Sequence, residues 1–169
     1  MSDHPAPPTG ALTPAYLRTL GLFGALSEEA LEMFAATLAE RQVAAGEFVF
    51  EDLDDGRELY LIIDGEVEIV KMTPKGHELK LSRIVAGQWF GDMALLASQR
   101  RFASVRAVVP SRLLLLSSRD LDALYRRDLK SYTLLVLNLA RELSRRLRAV
   151  DELMVDLMTR LRDHHLGFG

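Results

Sequence analysis

Three residue types within one short stretch can do chemistry together: Gly91, Asp92 and, nine positions further on, Arg101. A guanidinium presents a planar fork of donors that matches the paired oxygens of a phosphodiester. Glycine lets backbone approach a ligand closely, and Met93-Ala94-Leu95-Leu96 reads as a short helix whose leading amide N–H groups attract an anion. The residues alone therefore define an anion site, with an internal Arg101–Asp92 ion pair as the structural alternative. No catalytic set accompanies it. Ser104 has no histidine near it in sequence and no other nucleophile sits beside an evident base, so an enzyme is not expected. The chain has no cysteine, which excludes disulfides and thiolate chemistry. His4 and His77 are too scattered for a metal centre, and His164-His165 beside Asp163 sit at a terminus, so neither metal nor cofactor is expected.

The elements that must position this stretch read as β-strands. From Arg41 the hydrophobic period changes from helical to alternating, and turn residues recur at short intervals. Glu47–Phe50, Glu58–Ile63, Glu66–Val70, His77–Ile84, Val105–Val109 and Arg112–Ser117 are the expected strands, with Asp52–Gly56, Asp64-Gly65 and Thr73–Gly76 as turns. Before them, Thr13-Pro14 and Ser27-Glu28-Glu29 look like helix starts. Leu31, Phe34, Ala35 and Leu38 line one face of the second helix. After them, Ser117 or Ser118 caps a further helix. The fold class is thus mainly β with flanking helices, a jelly-roll barrel.

The order Phe90-Gly91-Asp92-Met93-Ala94-Leu95, followed by Arg100-Arg101-Phe102-Ala103-Ser104-Val105-Arg106-Ala107, resembles the signature of the cyclic nucleotide-binding domain family. That family includes the catabolite activator protein and the regulatory subunits of cyclic-AMP-dependent kinase. Its motif runs Phe-Gly-Glu-Leu-Ala-Leu and then Pro-Arg-x-Ala-Thr/Ser-Val-x-Ala. Gly46–Phe50, Leu59–Ile62 and Gly65–Val67 also look like the family's first strands and Gly87–Phe90 like its approach to the cassette, so the resemblance spans roughly residues 20 to 125. It implies a double-stranded β-helix and a ligand-binding set of Phe90, Gly91, Asp92, Met93, Ala94, Arg101, Phe102, Ala103 and Ser104. It further implies that Asp92 binds a ribose 2′-hydroxyl and Arg101 the cyclic phosphate. Asp92 is one methylene shorter than the family's glutamate, Arg100 stands in place of proline, and Phe102 replaces a small residue. By residue type Phe102 is assigned first to the core and second to a platform for a base. Tyr132 and Thr133 are assigned first to helix packing and second to contact with a purine.

From about Lys130 to Arg162 a helical pattern runs with no proline or glycine, about 45 to 50 Å at 1.5 Å per residue. Ala140, Leu143, Leu147, Val150, Met154, Leu157 and Leu161 step alternately by 3 and 4, a heptad seam that predicts a homodimer through a coiled coil. Arg145, Arg146 and Arg148, with Glu142, Asp151 and Glu152 close by, read as its solvated flank rather than a nucleic-acid patch.

The expected organisation is a flexible Pro/Ala/Thr-rich tail over 1–13, a cyclic nucleotide-binding-like domain over 14–129 and the long helix over 130–166. The 169 residues carry a net charge of −3 with 49% hydrophobic content, enough for one core and without the basic excess of a nucleic-acid surface. No apolar run approaches the roughly 20 residues of a membrane helix, and the start lacks a signal-peptide pattern. The few residues after Arg162 do not make a recognition module, so direct DNA binding is not expected. The reading is a cytoplasmic dimeric sensor that binds cyclic AMP or cyclic GMP and signals to an unidentified partner protein. Its alternatives are a nucleotide-free dimeric interaction module and a barrel that takes a cyclic dinucleotide.

Overall fold

The computed structural model describes residues 12–97 and 99–166, with side chains through Asp163. Residues 1–11 of the expected tail and the side chains of His164 and His165 lie outside the described residues. Helix α1, Pro14–Thr19, starts where the Thr13 hydroxyl accepts from the Tyr16 N–H and proline takes the first turn. Helix α2, Glu28–Thr37, starts on Ser27 in the same way. Leu17, Leu20, Leu22, Phe23, Leu26, Leu31 and Phe34 bury the faces of these two helices, with the Phe23 and Phe34 rings 5.3 Å apart.

Eight strands follow: β1 Ala39–Val43, β2 Phe48–Phe50, β3 Glu58–Asp64, β4 Glu66–Met72, β5 Glu78–Val85, β6 Trp89–Phe90, β7 Ser104–Ala107 and β8 Ser111–Ser117. They form two four-stranded antiparallel sheets, ordered β1-β8-β3-β6 and β2-β7-β4-β5. Val43, Tyr60, Ile62, Phe90 and Leu113 of the first sheet meet Val49, Val67, Val105 and Ala107 of the second in one buried core. This is the jelly-roll expected from the strand pattern.

Strand β3 departs from simple alternation, since Leu59 through Ile63 are all buried. Tyr60 and Ile62 face the inter-sheet core, so Leu59, Leu61 and Ile63 cover the opposite face, where the Tyr16 hydroxyl of α1 donates to the Ile63 carbonyl. A strand sealed on both sides is a firm base for whatever its first residues carry.

Helix α3, Asp92–Ala97, lies between β6 and β7. Helix α4, Ser118–Arg127, begins with a capping box in which Ser117 and Asp120 satisfy each other's backbone. Helix α5 runs from Leu129 to Leu166, 38 residues, or about 57 Å. Asp128 caps it, its carboxylate accepting from the Ser131 N–H at 3.0 Å. The chain divides into two compact units, one through Leu135 and one from Val136, whose described residues are the remainder of α5.

Within that second unit, Leu147, Val150, Met154, Leu157 and Leu161 of the predicted seam are exposed, as are Leu153, Val155 and Met158 beside them. Arg145 and Arg146 of the arginine cluster both pair with Glu142.

Candidate functional site

The site starts from a short pairing, in which Tyr60 of β3 lies opposite Phe90 of β6 and their rings stack at 5.4 Å. Phe50 of β2 completes the cluster, 5.7 Å from Tyr60 and 5.9 Å from Phe90. Directly after Phe90 the backbone turns at Gly91, whose φ of +82° is the left-handed conformation that favours glycine. A Cβ there would also stand 2.8 Å from Nη1 of Arg101. The turn delivers Asp92, buried, as the first residue of α3.

Arg101 comes in from the other side, just before β7. Its main chain is bound to the turn after β2: the Arg101 N–H donates to the Asp54 carbonyl, and the Arg101 carbonyl accepts from Leu53 N–H, both at 2.9 Å. Leu53 has φ of +69°, a strained value for a residue with a branched side chain, and it is held there by that bond.

The Arg101 side chain is 3% exposed. Nη1 donates to the main-chain carbonyls of Glu58 (2.8 Å) and Gly91 (3.0 Å), and Nη2 donates to the Glu58 carboxylate at 3.1 Å. Cζ lies 4.0 Å from the centre of the Phe50 ring, a cation–π contact within a desolvated surrounding. Burial pushes the arginine pKa below its ordinary value, opposed by Tyr60, Glu58 and Asp54, and an arginine remains charged throughout. Nε is buried with no hydrogen-bond partner. A buried unsatisfied donor costs about 1–3 kcal/mol, so its presence beside a fixed Nη1 marks an edge suited to an anion.

The nine residues expected to form the site divide by side chain. Phe90, Asp92, Ala94, Arg101 and Ala103 are buried, whereas Met93 and Phe102 are exposed. Gly91 contributes its carbonyl to Arg101, and the Ser104 hydroxyl accepts from the Asp52 N–H at 2.9 Å. The first assignment of Phe102, to the core, is not what the fold gives: the residue is 59% exposed. Phe102 lies in the bend just before β7, whose Val105 and Ala107 are buried, and its own side chain stands out from the surface. Its ring lies 4.8 Å from the Lys71 ammonium, which also donates to the Phe102 carbonyl (2.6 Å) and the Asp52 carboxylate (2.8 Å). Tyr132 packs edge-on against Tyr125 at 5.2 Å, the helix-packing use expected first.

Four residues at this site escaped the sequence reading: Phe50, Gly56, Glu58 and Lys71. Gly56 was legible as a turn residue, yet its tighter role is contact, because a Cβ there would stand 2.2 Å from Nε of Arg101. Among the described residues there is no cluster of metal-ligating side chains and no helix long and apolar enough to cross a membrane.

This architecture and this cassette are those of cyclic nucleotide-binding regulatory domains of the catabolite activator and kinase regulatory-subunit type. The chain matches the cyclic nucleotide-binding domain family over residues 40–128 and belongs to it. It is 36% identical over 138 residues to the Cyclic AMP receptor protein of Thermus thermophilus, covering 82% of this chain and 62% of that protein. The crystal structure of the Thermus thermophilus Catabolite Activator Protein superposes with a TM-score of 0.70 at 35% identity, over 82% of this chain and 63% of that one. The regulatory domain of Toxoplasma gondii PKA, crystallised with cAMP, superposes with a TM-score of 0.59 at 29% identity, over 65% of this chain and 42% of that one. The chain thus spans about three-fifths of the length of its Thermus relative.

Proposed function

We propose that this chain is a cytoplasmic, homodimeric sensor that binds a cyclic nucleotide and passes the event to a partner protein. One observation carries the reading: Arg101, at the cassette position that binds the cyclic phosphate in the family it resembles, is fixed through Nη1 and keeps Nε without a partner. An edge of two N–H donors held in a dry, aromatic-backed setting suits the two free oxygens of a phosphodiester. Asp92, next to Gly91, takes the ribose hydroxyl in the same reading. Between cyclic AMP and cyclic GMP, the name of the Thermus relative and the cAMP of the Toxoplasma structure favour cyclic AMP.

The exposed apolar stripe from Leu147 to Leu161, with Ala140 and Leu143 before it, supports pairing with a second copy through α5. Ligand capture then acts by favouring one arrangement of the cassette and long helix over another, which requires a difference in affinity between the two.

A second reading is favoured by the Glu58–Arg101 ion pair. If that pair is the permanent use of the arginine, the chain is a nucleotide-free dimeric module. Calorimetric titration of the protein with cyclic AMP and with cyclic GMP separates the two. The sensor reading expects a saturable one-to-one heat per protomer that is absent in Arg101→Ala; flat titrations with both nucleotides leave the interaction module or a barrel that takes a cyclic dinucleotide.

A further inference from the structure

The edge of Arg101 that an anion would use is already touched by one. Nη2 donates to Glu58 Oε2 at 3.1 Å, and Nε beside it has no partner. Nη1 is held separately by two main-chain carbonyls, so the guanidinium does not depend on the carboxylate for its position. The exposures of the two partners differ: Arg101 is 3% exposed, whereas the Glu58 side chain is 37% exposed and lies on the solvent side of the pair. Its remaining hydrogen bond here is from the Arg57 N–H to Oε2 at 3.1 Å, a local contact with its own neighbour.

We propose that the Glu58 carboxylate competes with the ligand's anion for the Nε/Nη2 edge of Arg101, and so sets the affinity of this site. The inference rests on the reading of Arg101 as the phosphate-binding residue. Its physical basis is that two monoanions about 4 Å apart repel each other, most strongly where water is excluded. A phosphodiester that takes both donors must therefore displace Glu58 into solvent, a movement its exposure allows, and must enter beside Gly56, which lies against the same atoms. The pair formed with the phosphate gains from bidentate geometry, since the carboxylate uses a single bond and leaves Nε unsatisfied. Glu58 thereby raises the nucleotide concentration at which the site fills.

The test compares the whole chain with Glu58→Gln, Glu58→Ala and Arg101→Ala, titrated with cyclic AMP and cyclic GMP at low and high salt. Unfolding midpoints without nucleotide verify that each variant is folded. Glu58→Gln keeps an acceptor of the same shape and removes the charge. It should bind roughly tenfold tighter than the parent, the scale of one charge-assisted hydrogen bond, with Glu58→Ala changing in the same direction. A side chain that merely supports the site would lose affinity when changed, so the sign of the effect is diagnostic. Detectable binding by Glu58→Gln alone, with a silent parent, also supports competition. Equal or weaker binding by both Glu58 variants, with binding still abolished in Arg101→Ala, overturns the proposal and leaves the sensor reading standing. No binding by any variant overturns both.

Discussion

Gly56 lies against the guanidinium of Arg101 so closely that a Cβ would stand 2.2 Å from Nε and 2.4 Å from Cζ and Nη2. The two residues are brought together by the turn after β2, whose Leu53 and Asp54 hold the Arg101 main chain from both sides. The absent side chain is thus a condition for the buried arginine, and this gives the first prediction. Gly56→Ala displaces the guanidinium from a position held by the Glu58 and Gly91 carbonyls and the Phe50 ring. Stability should fall by about 1–3 kcal/mol, the usual cost of overpacking. Nucleotide affinity should fall at least tenfold. Denaturant unfolding and calorimetric titration check the two halves; unchanged affinity would separate the arginine from the ligand.

A second prediction concerns the junction of α2 with α5. The Asp128 carboxylate accepts from the hydroxyls of Ser27 and Ser131, each at 2.6 Å, and from the Ser131 N–H. These bonds, the Ser131 hydroxyl first and Ser27 second, lower the Asp128 pKa to about 2. A carboxyl depressed in the folded state contributes stability that is present above its unfolded value, about 3.9, and is lost as pH falls through the folded value. The native state should therefore lose about 1–2 kcal/mol from this group between pH 4 and pH 2, allowing for its partial exposure. In Asp128→Asn, which keeps an acceptor for the cap, that part of the acid dependence should vanish. Urea unfolding of both proteins from pH 5 to pH 2 measures the difference; parallel curves would refute the assignment.

Legibility in the sequence followed the range of the interactions. Caps at Thr13, Ser27 and Ser117 are local hydrogen bonds, and each begins a helix where the residue types said so. The cassette was legible because a left-handed Gly91, a short helix and a returning arginine are demands on neighbouring residues. Glu58 was not legible, because it meets Arg101 across 43 positions, from a strand of the other sheet. Phe50 reaches the same arginine through sheet pairing, and Lys71 finds Phe102 across 31 positions. Phe102 itself shows the limit of residue type as a guide to burial: in the bend before β7 its ring is exposed and meets the Lys71 ammonium instead of the core.

The third prediction tests the proposed dimer. Leu147 and Leu157 are 62% and 57% exposed on α5, and a seam that pairs with a second copy covers both. The double change Leu147→Asp with Leu157→Asp puts like charges into that seam and should give a mass of one chain by light scattering, where the parent gives two. The helix content should persist through residues 129 to 135 and the barrel should stay folded. A mass that does not change would remove the coiled-coil assignment.

The central claim is that Arg101 binds the phosphate of a cyclic nucleotide, and thermal unfolding tests it most directly. At one hundred times its dissociation constant a ligand adds about 2.7 kcal/mol, a midpoint rise of about 5–10 °C for a chain of this size. The account predicts such a rise with cyclic AMP or cyclic GMP in the parent protein. In Arg101→Ala, measured against its own lower baseline, no rise should appear. A flat midpoint with both nucleotides, or an equal rise in the variant, would contradict it.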